Sequence, residues 1–128
     1  WFRTPSASIC LFMKRSVFED IGGMDVRFTS PGGGLIALDF FKRVWELKNV
    51  QPVMLLGEGT FHQFHGGVAT NTLPDEKAQK KKIMHDEYRS IRGEPFRAPD
   101  RQPIYFGALP EYAHDTMKHS ADKLTLNP

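Results

Sequence analysis

The run Gly57-Glu58-Gly59-Thr60-Phe61-His62-Gln63-Phe64-His65-Gly66-Gly67 restricts the fold more than any other stretch of the chain. It sets four glycines, two histidines and one carboxylate within eleven positions. Glycine on this scale does not sustain a helix, so the stretch must be strand, turn or both. It directly follows Pro52 and the apolar run Val53 to Leu56, which has the length of a buried strand. A strand that ends in glycines, a carboxylate and imidazoles is a place where a polar cleft forms. A second such place is Ser30-Pro31-Gly32-Gly33-Gly34, which leads into a helical pattern carrying Asp39. The two segments together suggest one cleft.

The rest of the chain reads as scaffold. Ala7 to Lys14 is short and apolar and predicts a buried strand, with Cys10 as an inert core thiol. Ser16 and Glu19 have the spacing of a capping box, and Gly22-Gly23 ends the short helix that follows. Leu38, Phe41 and Val44/Trp45 recur at spacings of three and four, which predicts a helix from Leu35 to Asn49 with Asp39, Lys42, Arg43 and Glu46 largely off its apolar stripe. Gly59 to Phe64 reads as a third strand. Asp75 to Arg92 reads as a long surface helix closed by Gly93, with Lys80-Lys81-Lys82 on its solvated face. A proline-rich extended segment through Ile104-Tyr105-Phe106 comes next, then a last helix from about Pro110 to Lys123. The class is α/β, in two parts: residues 1–73, and a helical and proline-rich extension, 74–128, packing on them.

Composition narrows the function classes. An apolar fraction of 40% with 12% aromatic residues is enough for one packed domain of 128 residues. The formal charge of +2 leaves no basic surplus for nucleic acid. No apolar run is long enough to span a membrane. The single cysteine cannot form an internal disulfide, which suits a reducing, cytoplasmic compartment and equally an exported protein without disulfides. The chain opens Trp1-Phe2-Arg3, without an initiator Met or a signal-peptide pattern, which suggests a piece of a longer protein.

Each chemically suggestive residue has a plain alternative. His62 and His65 are metal-ligand candidates, yet three residues apart on a regular strand they face opposite sides, so two ordinary histidines explain them as well. Asp39 is either a general base behind a glycine loop or an ion-pair partner of Arg43 at i+4. The triple glycine lets a phosphate or a sugar approach the backbone, or is simply a flexible loop; it lacks the Lys-Ser/Thr of a P-loop. Trp45 lies on the apolar stripe and fits the core better than a sugar platform.

The order Lys14-Arg15-Ser16-Val17-Phe18-Glu19-Asp20-Ile21-Gly22-Gly23-Met24-Asp25-Val26-Arg27-Phe28 resembles the RR-x-x-F-x-x-[IL]-G-G-[FM]-D-x-x-F segment of family 2 glycosyltransferases. Asp39-Phe40-Phe41-Lys42-Arg43 is similar to the acidic helix that follows it in that family, and His62/His65 with Gly66-Gly67 to a later histidine element. The resemblance covers Ala7 to Asn71. It implies the C-terminal acceptor and catalytic half of a GT-A, Rossmann-like domain, a mixed sheet with flanking helices, and the 1–73 part is its site for that half.

The implied reaction is transfer of a sugar from a nucleotide-sugar donor to a carbohydrate, lipid or protein hydroxyl, usually with inversion. A divalent ion, Mn²⁺ or Mg²⁺, would offset the diphosphate charge. The resemblance implies His65 and His62 at the metal or diphosphate, and Gly32, Gly33, Gly34 and Arg43 about the donor and acceptor. Two departures stand out. No Asp-x-Asp occurs in the chain, and Ile36-Ala37 occupy the positions of the acidic pair before the helix. The base is then Asp39 or Glu58, or Asp39 only orients the loop through Arg43. The expectation is a part inactive alone, whose exposed strand edge pairs with a second copy as a homodimer. The alternative is a diverged module that binds a glycan or a protein without turnover.

Overall fold

The structure, a computed structural model, describes residues 10–58, 73–116, 118 and 119. Its elements are α1 (Arg15–Asp20), α2 (Ile36–Trp45), β1 (Val53–Leu56), α3 (Pro74–Arg92) and β2 (Ile104–Gly107). Single 3-10 turns lie at Pro31–Gly33 and Glu111–Ala113. The fold is mixed helix and strand, loosely of the α/β kind.

β1 and β2 form a two-stranded parallel sheet with Val53 opposite Ile104 and Leu55 opposite Phe106. Parallel strands need a crossover, and α3 lies within it. The four residues just named share one face, and each is more than half exposed. A parallel sheet normally has both faces covered, whereas this face is apolar and, among the described residues, uncovered.

The core sits between α2, α3 and the turn before α2. Phe28, Leu35 and Tyr88 are its buried centre, with Ile36, Leu38, Met84, Ile91 and Phe96 against it. Tyr88, 1% exposed, stacks on Phe28 at 6.0 Å and meets Phe96 edge-on at 5.3 Å. On the other side of α2, Phe41 packs on Trp45 at 4.6 Å, and the Trp45 indole N–H donates to the Arg101 carbonyl at 2.6 Å. Trp45 is therefore a core residue that ties the segment before β2 to α2.

Several expectations are corrected. Ser16 is inside α1, not its cap; Lys14 precedes the helix, and Glu19 pairs with Arg15 at 2.7 Å instead of reaching back. Residues 10–14 form no strand, and Cys10 and Leu11 are exposed. α2 ends at Trp45, four residues before Asn49, and its buried face includes Asp39 and Phe40. α3 is not wholly a surface helix, because Tyr88 is in the core. Ile104 to Gly107, read as extended, pairs as β2. Of the helix expected from about Pro110 to Lys123, the described residues 111–116, 118 and 119 are helical or 3-10, and residues 120–123 lie outside the described residues. The bounds of β1 and the α3 end at Gly93 agree with expectation, but β1 is not the buried strand expected, since Val53 and Leu55 are exposed and Met54 and Leu56 only half-buried. The expected strand from Gly59 to Phe64 lies outside the described residues. Among the described residues no helix is long and apolar enough to cross a membrane.

Candidate functional site

The most concentrated polar chemistry centres on Asp39, in the first turn of α2. Its carboxylate is 1% exposed. Oδ2 accepts from Arg43 Nε at 2.8 Å and from Arg92 Nη2 at 2.7 Å, and Oδ1 accepts from Arg92 Nε at 2.7 Å. Arg43 is one helical turn along α2, so its side chain rises over the same face. Its other two nitrogens donate to the carbonyls of Ile21 and Gly23, each at 2.7 Å. Arg92, in the last turn of α3, also lies 2.8 Å from Asp25 Oδ2. Asp25 in turn takes a two-pronged contact from Arg27.

These residues bind three parts of the chain, the 21–27 segment, α2 and the end of α3, into one network. Burial pushes the Asp39 carboxyl upward, but the hydrogen bonds from Arg92 and Arg43 outweigh it and hold the group below its ordinary 3.8. The Arg27 hydrogen bonds hold Asp25 well below the carboxylate range. A general base must present a lone pair to the acceptor and sit near the working pH. Asp39 does neither: both oxygens are taken, and its proton affinity is lowered. Of the roles open to it from sequence, the geometry favours orientation through Arg43.

The glycine loop is the second component. Gly32, Gly33 and Gly34 all have positive φ, at 74°, 81° and 53°. Glu87 of α3 reaches this loop from below. Its Oε1 accepts from the backbone N–H of Thr29 at 2.7 Å and of Ser30 at 2.9 Å, and from the Thr29 hydroxyl at 3.2 Å. Oε2 is buried without a hydrogen-bond partner. A Cβ on Gly34 would stand 2.9 Å from that oxygen and 2.9 Å from the Ser30 Cβ, so only glycine fits there. Burial raises the Glu87 carboxyl, and the hydrogen bonds from Thr29 and Ser30 more than reverse this.

Glu58 is the third component. It is exposed and follows Gly57 at the carboxyl end of β1, where Gly57 lies against the Ala108 carbonyl just past β2. Open parallel sheets place their ligands at the carboxyl ends of strands. Glu58 takes no part in the Asp39 network. Of the positions where an acidic pair was expected, Ile36 packs on the core and Ala37 is exposed. His62 and His65 lie outside the described residues. Among the described residues no group of three or more His, Cys, Asp or Glu side chains is placed to hold a metal ion. The described donor set therefore does not fit a divalent ion.

Three residues of this constellation, Asp25, Glu87 and Arg92, were not singled out from the sequence. Arg92 meets Asp39 across 53 positions and Glu87 meets Thr29 across 58. No local pattern announces contacts so distant. The one available hint is that both flank the apolar stripe Met84, Tyr88 and Ile91, whose spacing marks the buried face of α3.

No protein-family model matches the chain, and no curated protein or solved structure matches it.

Proposed function

We propose that this chain supplies the acceptor side of a glycosyltransferase that moves a sugar from a nucleotide-sugar donor to an acceptor hydroxyl. The observation that carries the reading is how the motif residues meet. Gly23 gives its carbonyl to Arg43, Asp25 meets Arg92, Phe28 is core, and Asp39 pairs with Arg43. The described residues on which the resemblance rests thus form one connected unit beside the glycine loop. That supports the motif being a designed arrangement and not a chance string.

In this reading Glu58 is the base. Its carboxylate accepts the proton of the acceptor hydroxyl. The freed oxygen lone pair bonds to the anomeric carbon, and the bond from that carbon to the nucleoside diphosphate breaks, with inversion. Asp39 and Arg43 position the segment ending at Phe28. Gly32, Gly33 and Gly34 border the acceptor and the sugar. A divalent ion, Mn²⁺ or Mg²⁺, belongs to the proposal through His62 and His65, with no role assigned among the described residues. The acceptor is a carbohydrate, lipid or protein. A second copy of the chain pairs with its exposed strand edge, and the compartment is reducing and cytoplasmic.

One observation favours a second reading. The carboxylate nearest the family's usual base position is buried and fully paired, and the positions before it are apolar. A diverged module that binds a glycan or a protein without turnover would have that pattern.

The test is sugar transfer by the full-length protein, followed as nucleoside diphosphate release from UDP- and GDP-sugars. His65→Ala is expected to abolish turnover while circular dichroism and melting temperature stay as in the wild type. Wild-type turnover in that variant removes His65 from the site.

A further inference from the structure

We propose that Glu87 is the positioning residue of the glycine loop, so that α3 sets the shape of the surface that meets the ligand; this rests on the glycosyltransferase reading for what the ligand is. A loop with three successive glycines at positive φ has little conformational preference of its own. Something outside it must select one shape. Inside it the Gly33 N–H donates to the Ser30 carbonyl at 2.9 Å, and from outside it the Glu87 side chain reaches the Thr29–Ser30 entrance. Glu87 Oε1 gathers two backbone N–H groups and one hydroxyl at the entrance to the loop. Hydrogen bonds to a charged acceptor are the strong kind.

The other oxygen sits at the exit of the loop, where a Cβ on Gly34 would stand 2.9 Å from it. Oε2 lies against Gly34 and has no hydrogen-bond partner. A buried carboxylate oxygen left unpaired costs free energy, so the chain holds this contact against a penalty that a solvent-facing Glu87 would avoid. A carboxylate that served only to stabilise α3 would gain nothing from reaching 58 positions back to Thr29. Its neighbours at i−4 and i+4, Ile83 and Ile91, offer it no charge partner on its own helix. Arg92 anchors the same helix end to Asp39 and Asp25, which fixes where the Glu87 carboxylate arrives.

The experiment is amide hydrogen exchange of the chain, read at the Thr29 and Ser30 N–H groups by NMR, for wild type, Glu87→Ala, Glu87→Gln and Glu87→Asp. Loss of the acceptor in Glu87→Ala is expected to speed exchange at these two amides by about tenfold or more, with the amides in the middle of α3 unchanged. Glu87→Gln keeps an oxygen at the same reach and is expected to restore most of the protection, with both amide proton resonances moved upfield from their wild-type positions. Glu87→Asp keeps the charge but is one methylene short, and should behave as the alanine variant does. If Glu87→Ala does not fold, the aspartate variant decides. Wild-type exchange at Thr29 and Ser30 in the aspartate or alanine variant, or no rescue by glutamine, overturns the proposal. The measurement needs no donor or acceptor, so a negative result here is distinct from absent sugar transfer.

Discussion

Asp39→Ala is expected to lower the unfolding free energy by about 3–5 kcal/mol, the cost of removing one partner from a buried ion pair. The reason is what remains behind. Arg43 and Arg92 keep less than a quarter of their side-chain surface in water, and both would lose their carboxylate. Asp25 would still hold Arg92, and the Ile21 and Gly23 carbonyls would still hold Arg43, which places the loss toward the lower end. A domain of this size has a total of about 5–15 kcal/mol, so the fall would be plain in urea unfolding and in melting temperature. The same network predicts acid lability. Asp39 and Asp25 have carboxyl groups lowered from 3.8, and Glu87 from 4.5. A carboxylate depressed by folding adds stability that is whole above its unfolded value and disappears as pH falls through its folded one. Stability should therefore hold steady from neutral pH to about 5 and decline below about 4. Asp39→Asn should unfold more easily at neutral pH and show a shallower acid decline. A variant as stable as the wild type at pH 7 would mean that Asp39 is not the junction of the network.

Glu58→Gln carries the second large effect. If Glu58 takes the acceptor proton, the amide cannot, and turnover in the full-length protein is expected to fall by about two or more orders of magnitude. Glu58 is exposed and lies outside the core, so the melting temperature should not move. Turnover and stability thereby separate the two carboxylates. Glu58→Gln changes rate without stability, whereas Asp39→Ala changes stability first. Wild-type turnover in Glu58→Gln removes it as the base.

Elements with a local cause were legible in the sequence. β1 followed from an apolar run after Pro52, and the end of α3 from Gly93, which takes the left-handed conformation at φ 75°. The Asp39–Arg43 pair was legible because both partners lie on one helix, four residues apart. What the spacing misplaced was the depth of Asp39. A charged side chain in a first turn suggests solvent, and it takes Arg92, arriving from another helix, together with Arg43 to offset the cost of burial. β2 was hidden because a strand among prolines is recognised by its partner, and that partner lies beyond α3. The Ser16 cap failed because α1 begins at Arg15, one residue before Ser16, which leaves Ser16 inside the helix and Glu19 beside Arg15. Cys10 and Leu11 belong to an apolar run that sequence assigns to a core, while the structure leaves them exposed.

The glycosyltransferase reading is tested most directly by calorimetric titration of the full-length protein with UDP and with GDP, with and without Mn²⁺. Binding of one nucleotide that depends on the metal is the predicted result, and it would also narrow the class of sugar transferred. A folded protein that binds neither nucleotide under either condition would contradict the reading and leave the diverged binding module in its place.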